Sequence, residues 1–185
     1  SLRHVLHAAR ERLQVAPAGP RLTEFEFVNE GGAQRGFRLT EALRTGLSNE
    51  EFMLVDAPPS GGLLAMNALL AVDEVLVPVT GEYLALHGIS RFMRVLNHID
   101  ESLQRKTRVW IALTRFNERR RLAREVRDKL LEYFPNSVLA TPVRESSAIA
   151  ESPGVALSIF EYQRRGNGAN DYRQLADDLI NARTL

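Results

Sequence analysis

Residues 74–79 read Glu74-Val75-Leu76-Val77-Pro78-Val79, one acid followed by five apolar residues. A second apolar run follows at Val109-Trp110-Ile111-Ala112-Leu113. Runs that are apolar on both faces are typical of strands in a parallel sheet, because helices cover both sides of such a sheet. Helical patterns lie between and after these runs. The chain is therefore predicted to be α/β, with a mainly parallel sheet and helices on both faces.

The remaining elements follow from the period of the apolar residues. Helical spacing predicts helices marked by Leu2 to Leu13, Leu39 to Leu47, Ile89 to Ile99, Leu122 to Leu130 and Tyr172 to Ile180. Alternating or solid apolar stretches predict short strands at Thr23–Phe27, Phe52–Val55 and Ser137–Ala140. Because no linker is long enough to separate two domains, we expect residues 1–185 to form a single domain.

Composition excludes several classes of protein. Apolar residues make up 44% of the chain and charged residues 25%, as in an ordinary globular protein, and the net charge is only +1. There is no cysteine, so disulfides, thiolate metal sites and cysteine nucleophiles are excluded. The longest apolar stretch, Gly62–Val72, is interrupted by Asn67 and is shorter than a membrane span. With no secretory signal at the start, we expect a cytoplasmic protein without membrane attachment.

Asp56 is the first candidate for chemistry. It ends the apolar run Phe52–Val55, and Ala57-Pro58-Pro59-Ser60-Gly61-Gly62 follows as a loop. Ligands of open α/β sheets bind beyond the carboxyl ends of the strands, and an acid there suits Mg²⁺ bound through water. The alternative is that Asp56 only caps the turn that follows it.

From about Arg38 onward, the order and spacing of several segments resemble the ParA/MinD family of deviant-Walker P-loop ATPases. The resemblance is to its ParA (Soj-like) branch above all. The segments that carry it are Leu54–Pro59 as the Walker B motif, Asn67–Leu69, Ala71–Val79, Glu82–Ile89, Leu113–Asn117, Thr141–Glu145, Ile159–Tyr162 and Gly168–Tyr172.

This resemblance implies an ATPase of the SIMIBI-like P-loop class that binds ATP, ADP and Mg²⁺. It implies a homodimer formed on ATP binding, non-specific DNA binding and an activating partner of the ParB type. Such a protein positions DNA or another cellular cargo.

The resemblance also implies roles for particular residues. Asp56 is expected to be the catalytic-site acid and an outer-shell magnesium ligand, with Pro58 beside the nucleotide. Thr114 and Val143, with Arg115 and Arg144 next to them, match positions that flank the adenine in relatives. For DNA, the matching cations are Arg144, Arg164 and Arg165.

One part of the family pattern has no counterpart here. The family begins with a strand and a glycine-rich phosphate loop, whereas Gly31–Gly36 lacks the Gly-Lys-Thr core of such a loop and is read as a plain turn. We therefore expect residues 1–185 to be inactive alone and to need an upstream phosphate loop for ATP hydrolysis. Three explanations stay open: the sequence omits that part, another chain supplies the strand, or the remaining strands pair differently.

Other functions stay open as alternatives. A degenerate, non-catalytic ParA-like interaction module fits the sequence as it stands. A relative of the dethiobiotin synthetase kind shares the fold. A MinD-like relative is disfavoured because Asp171, Asp177 and Asp178 near the end do not suit an anionic bilayer.

A basic run, Asn117–Glu125, precedes and opens a predicted helix. The usual explanation for such a run is a solvated charged face. Exposed cations are also all that contacts to DNA phosphates require.

Overall fold

The computed structural model describes residues 2–27, 31–46, 52–59 and 61–185. The chain divides into two compact units, Ser1–Asp73 and Glu74–Leu185. That residues 1–185 form a single domain stays a prediction.

The first unit is mostly helical. It opens with a 3-10 helix at Leu2–Val5 and a two-stranded antiparallel hairpin, β1 (His7–Arg10) and β2 (Leu13–Val15). Helix α1 (Pro20–Glu26) follows, then a second 3-10 helix (Gly32–Phe37), α2 (Arg38–Gly46) and α3 (Leu63–Ala71).

Asn67 holds these helices together. Its side-chain amide donates to the carbonyls of Arg35 and Leu63, both at 2.9 Å, and its Oδ1 accepts from the Leu39 N–H at 3.1 Å. The residue is buried, and a buried amide with all of these bonds made adds specificity without an unpaired polar group. Asn67, which opens the Asn67–Leu69 segment, is thus a structural residue.

The prediction of a helix over Leu2 to Leu13 is wrong. The chain reverses at Glu11 and Arg12, where Arg12 has φ of +58° and so cannot continue a helix. Val5 and Leu13 are about half exposed, so the apolar spacing has no core face to bury. Without that burial, helical periodicity carries little energy.

The predicted strand at Thr23–Phe27 is also wrong, since Pro20–Glu26 form α1. Pro20 occupies the first turn of this helix, where its fixed φ is favourable and its missing N–H costs nothing. Gly19 precedes it as an extended N-cap. Pro20 favours the start of a helix, and this preference is stronger than the strand preference of an apolar alternation only five residues long.

The expected strand at Phe52–Val55 is wrong as well. Residues 52–58 have no regular secondary structure, and Phe52 and Leu54 are 63% and 88% exposed. A strand needs hydrogen-bonded neighbours, and no strand in the described part of the chain pairs with this segment. An apolar run indicates a preference for burial without determining which strand will supply the partner.

The second unit is built on two parallel strands, β3 (Glu74–Thr80) and β4 (Arg108–Thr114), both as predicted. Their register places Glu74 opposite Arg108 and Thr80 opposite Thr114. On the other side of β4, the Ile111 N–H donates to the Ser137 carbonyl at 2.8 Å and the Leu139 N–H donates to the Ile111 carbonyl at 2.9 Å. The predicted strand at Ser137–Ala140 is therefore reduced to a short bridged segment.

Alternate side chains of β4 enter two separate cores. Ile111 and Leu113 pack with residues of β3, α4 and α5, including Ile89, Val126 and Leu130. Trp110 and Ala112 face the other way, into a cluster with Leu139, Val143 and Leu175. Helices thus cover both faces of β4, as the apolar pattern of the strand predicts.

The helices of this unit are α4 (Tyr83–Leu103), α5 (Arg121–Tyr133), α6 (Ser147–Glu151), α7 (Ile159–Tyr162) and α8 (Asn167–Ile180). A 3-10 turn, Ser152–Val155, follows α6. The predictions of α4, α5 and α8 from helical spacing are confirmed, as is that of α2 in the first unit. Leu47, which was assigned to the end of α2, lies outside the described residues.

Candidate functional site at the carboxyl edge of the β3–β4 sheet

Three loops meet where β3 and β4 end. Gly81 and Glu82 follow β3, and Arg115, Phe116 and Asn117 follow β4. The third loop, residues 140–145, runs beside β4: Val143 N–H donates to the Leu113 carbonyl at 2.8 Å, and Phe116 N–H donates to the Val143 carbonyl at 3.0 Å. This is the edge where ligands bind in open α/β sheets.

Gly81 is required for the close packing of this edge. A β-carbon at this position would lie 2.7 Å from the Cβ and 3.0 Å from the Cα of Ala123 in α5. The loop after β3 therefore touches the start of α5 directly.

A small polar cleft of about 40 Å³ opens between these loops. Its walls carry two acids and two arginines, Glu82, Glu145, Arg115 and Arg120. Binding pockets for whole small molecules are usually about 300–1,000 Å³, so this cleft is too small to enclose a nucleobase.

Thr114 and Val143 lie on neighbouring segments, because the Val143 N–H donates to the carbonyl of Leu113, the residue before Thr114. Thr114 ends β4 and its hydroxyl donates to the Val79 carbonyl at 3.5 Å. Val143 is only 3% exposed and packs with Trp110 and Leu175. Val143 therefore contributes to the core, and its adenine-flanking role stays a prediction.

Arg115 and Arg120 converge on one carboxylate. The guanidinium of Arg115 lies 3.7 Å from the Glu145 carboxylate, and that of Arg120 lies 3.9 Å from the other oxygen of the same group. Arg115 adopts a left-handed backbone with φ of +48°, which is strained for a residue with a β-carbon. All three side chains remain largely exposed.

Arg144 is held by a buried acid of α8. Its Nε and Nη2 donate to the two oxygens of Asp171 at 3.0 and 2.6 Å, and its backbone N–H donates to the same carboxylate at 3.0 Å. The side chain of Asp171 is 4% exposed and that of Arg144 is 53% exposed. Burial raises the pKa of the Asp171 carboxyl, but the hydrogen bonds and charge of Arg144 outweigh burial and hold that pKa below its usual value.

A second acid of α8 holds the same loop. Asp178 accepts from the Thr141 N–H at 2.7 Å and pairs with Arg183 at 2.9 Å. Asp171 and Asp178 together fasten both ends of the segment 141–144 to α8. The contacts of Arg144 in this structure therefore give it a structural role. Its predicted contact with DNA and its predicted position beside the adenine stay predictions.

Arg164 and Arg165 follow α7 on the surface. Both residues are exposed, and neither side chain forms an ion pair with another described residue. The Arg164 carbonyl accepts from the Arg173 guanidinium at 2.9 Å, so this contact uses the backbone of Arg164 and not its side chain.

Asp56 and Pro58 belong to the first unit, in the irregular and exposed segment 52–58. Asp56 does not follow a strand in this structure, contrary to the prediction. Its role as a magnesium ligand stays a prediction. Gly31 and Gly32 have φ of +97° and +52°, and Gly32 opens a 3-10 helix. This is turn geometry, as predicted, and not a phosphate loop.

The described residues only partly fit a nucleotide and its metal. A single exposed acid such as Asp56 suits Mg²⁺ bound through water, and no described group of three or more acids or histidines forms a metal centre. The two lysines of the chain, Lys106 and Lys129, lie before β4 and within α5, and neither is in a glycine-rich loop. No step of ATP hydrolysis is therefore assigned to this chain.

Three residues of this edge are not predicted from the sequence: Glu82, Glu145 and Asp171. Glu145 joins two arginines that are distant in sequence, and Asp171 reaches the loop from a helix that begins more than twenty residues later. The local pattern contains no signal for the contacts of Glu145. A hint is available only for Asp171, because a carboxylate on the inner face of an amphipathic helix demands a buried partner.

Comparison with known proteins settles the family. A family model described as an AAA domain matches residues 1–109. The chromosome partitioning protein ParA of Myxococcus xanthus is 34% identical over 183 residues, which are 97% of this chain and 64% of that protein. The chain belongs to the ParA/MinD family of Walker ATPases.

Two further matches agree with this family and its fold. The sporulation initiation inhibitor protein Soj of Bacillus subtilis is 32% identical over 91% of the chain and 67% of its own length. Cobyrinic acid a,c-diamide synthase from Mycobacterium smegmatis, solved with ADP and magnesium, superposes with a TM-score of 0.76 at 25% identity over 97% of this chain and 66% of its own. The fold is that of an α/β P-loop NTPase.

The chain spans about two thirds of the length of these relatives. Among the described residues, no helix is both long enough and apolar enough to cross a membrane.

Proposed function

We propose that the full-length protein is a ParA-type ATPase that positions DNA or another cellular cargo. The observation that carries the proposal is the match over 97% of this chain to a chromosome partitioning ParA at 34% identity. In this proposal, ATP and Mg²⁺ bind the full-length protein and drive its dimerisation. The dimer binds DNA without sequence preference, and a partner protein of the ParB type stimulates hydrolysis. The proposed location is the cytoplasm.

Exposed arginines of the second unit support the DNA part of the proposal. Arg164 and Arg165 are consecutive exposed residues, and neither side chain has an ion pair with another described residue. Guanidinium groups bind phosphate in a bidentate manner, and contacts of this kind give affinity without reading sequence. Within the predicted DNA-binding set, we expect Arg144 to contribute less because two of its guanidinium nitrogens, Nε and Nη2, already donate to Asp171.

The experiment is a binding titration of the full-length protein with random-sequence duplex DNA in the presence of ATP or ADP, combined with light scattering and an ATPase assay. We expect dimers, slow ATP hydrolysis and DNA binding in ATP, and weaker DNA binding in ADP. Arg164→Ala with Arg165→Ala should weaken binding and lower its salt dependence. Failure of the ATP-bound protein to bind duplex DNA at low salt would overturn the DNA part.

The diamide synthase match makes a small-molecule ligase the rival class, at lower identity. A ligase would turn over ATP with an acid and an amine donor and would show no ATP-dependent association with DNA. The same titration therefore separates the two functions.

A further inference from the structure

Helix α3 begins without a cap of its own. Its N-cap residue is Gly62, which has no side chain, and its first turn holds no acid. The first N–H groups of a helix have no partner inside the helix, so another group has to satisfy them. Here that group comes from the end of α1, 38 residues away in sequence: Glu26 Oε2 accepts from the Leu64 N–H at 3.0 Å.

The Glu26 carboxylate suits this place in charge as well as in geometry. The N-terminus of a helix carries partial positive charge, so a carboxylate is favoured there and its hydrogen bond is charge-assisted. The residue is partly buried, and it forms no ion pair with another described residue. Its carboxylate is therefore committed to the start of α3.

Gly62 leaves the space that this carboxylate occupies. A β-carbon at Gly62 would overlap the Oε1 atom of Glu26. The backbone of Gly62 is extended, with φ of −83° and ψ of −165°, a conformation that other residues adopt without strain. The backbone therefore does not demand glycine here, and what a side chain would disturb is the contact with Glu26.

The rest of α3 is fixed to the first unit as well. Asn67 binds the middle of the helix to Arg35 and Leu39, and the Thr40 hydroxyl donates to the Leu70 carbonyl at 3.2 Å. Glu26 adds the contact at the start of the helix. Polar contacts thus hold α3 at its beginning, its middle and its end.

The segment before α3 carries Asp56 and has few contacts of its own. No hydrogen bond or ion pair joins residues 52–59 to another described residue. Pro58 and Pro59 have fixed φ angles, which limit the conformations that the segment can adopt. The start of α3 is therefore the nearest anchored position on the C-terminal side of Asp56.

We propose that Glu26 is a positioning residue for Asp56. By capping α3 it fixes Gly62, and through the short stretch between them it restricts where the Asp56 carboxylate can lie. The inference rests on the proposed function, in which Asp56 is the acid of an ATPase site. Groups that orient a metal-binding residue without touching the metal typically change affinity or activity by roughly 10–100-fold when they are removed.

The first test is amide hydrogen exchange of the full-length protein without nucleotide. We expect Glu26→Ala to speed exchange of the Leu64 N–H by roughly fivefold, as loss of a helix cap should. Glu26→Gln keeps an acceptor oxygen and should retain most of the protection. Glu24→Ala, which removes an exposed acid from the same helix, is the matched control and should exchange like the wild type.

The second test uses the space at Gly62. Gly62→Ala should displace the carboxylate and reproduce the effect of Glu26→Ala on exchange. Gly61→Ala is its control, because a β-carbon at Gly61 has nothing within 4 Å. Combining Gly62→Ala with Glu26→Ala should add little to either single change, since both remove the same contact.

The third test measures ATP hydrolysis by the full-length protein against Mg²⁺ concentration. We expect Glu26→Ala to raise the Mg²⁺ concentration at half-maximal rate roughly tenfold. Glu24→Ala should leave it unchanged. A role limited to stability would lower the rate by the same factor at every Mg²⁺ concentration, and that result would overturn the proposal.

The outcomes separate this inference from the proposed function. Wild-type exchange at Leu64 in Glu26→Ala would overturn the inference, as would faster exchange with an unchanged dependence on Mg²⁺, and both results leave the proposed function intact. Absence of ATP hydrolysis by the wild type would overturn both. If Glu26→Ala does not fold, Gly62→Ala removes the same contact and carries the same expectations.

Discussion

At the scale of single residues, Gly81 and Gly88 differ in the space available for a side chain. A β-carbon at Gly81 would meet Ala123 at 2.7 Å, while a β-carbon at Gly88, inside α4, has nothing within 4 Å. We expect Gly81→Ala to lower the free energy of unfolding by about 1–3 kcal/mol through overpacking. Gly88→Ala should raise it by about 0.5–1 kcal/mol because alanine is the better helix former. Urea unfolding followed by circular dichroism measures both, and equal stabilities would contradict the packing at Gly81.

The Asp171 carboxylate gives the molecule a pH dependence. Its pKa is held below the usual value by Arg144, despite burial, so the pair stabilises the folded state above the pKa of an unfolded Asp. That contribution is lost as the pH falls through the lower pKa of the folded state. We expect Asp171→Asn to cost about 1–3 kcal/mol at neutral pH.

The difference between wild type and Asp171→Asn should shrink when the pH is lowered below about 4. Urea midpoints at neutral and acid pH provide the measurement. A difference that stays constant over this range would show that the carboxylate charge is not what stabilises the loop.

At the scale of elements, helix α5 has one buried face and one exposed face. Leu130 is fully buried in the core around β3 and β4, whereas Leu122 is 39% exposed. Leu130→Ala should cost about 2–5 kcal/mol because it leaves a cavity among close-packed side chains. Leu122→Ala, the matched control on the same helix, should cost less than 1.5 kcal/mol or so. Similar losses for the two variants would mean that the buried face is assigned wrongly.

The same contrast explains which elements can be predicted from sequence. The strands β3 and β4 and the helices α4, α5 and α8 bury whole faces, and a buried face leaves its period in the order of the residues. Residues 4–15 are mostly exposed, so the helical spacing of their apolar residues carries no information about the backbone. The segment Phe52–Val55 shows a second limit of prediction from sequence: a strand forms only with a hydrogen-bonded partner, and the segment itself does not determine that partner.

The candidate site follows the same division. Thr114 and Val143 are grouped by the family resemblance alone, and the Val143 N–H bonds to the carbonyl of Leu113, the residue before Thr114. The pairing of Arg144 with Asp171, and of Arg115 and Arg120 with Glu145, depends on how α8 and the loops pack. Contacts of that kind have no periodic signal along the chain.

At the scale of the whole molecule, nucleotide binding should depend on residues beyond these 185. Phosphates in P-loop proteins are held by backbone N–H groups, a lysine and Mg²⁺, and the lysines here, Lys106 and Lys129, are not in a glycine-rich loop. We expect a polypeptide of residues 1–185 to bind Mg-ATP no tighter than about millimolar and not to hydrolyse it.

Calorimetric titration against the full-length protein as control measures this difference. Micromolar affinity of the shorter polypeptide would reveal a phosphate site among residues 1–185 that the turn geometry at Gly31 and Gly32 does not suggest.

Trp110 is the single tryptophan of the chain and is 1% exposed. Its indole N–H donates to the Glu74 carboxylate, and the Arg108 guanidinium lies 4.0 Å from the ring centroid. Its fluorescence therefore reports on residues 74–185 alone, with an emission maximum at short wavelength that moves to the red when β3 and β4 separate. Ellipticity at 222 nm averages over every helix, so a melting curve recorded by both signals at once would resolve whether the two units lose their structure at one temperature or at two.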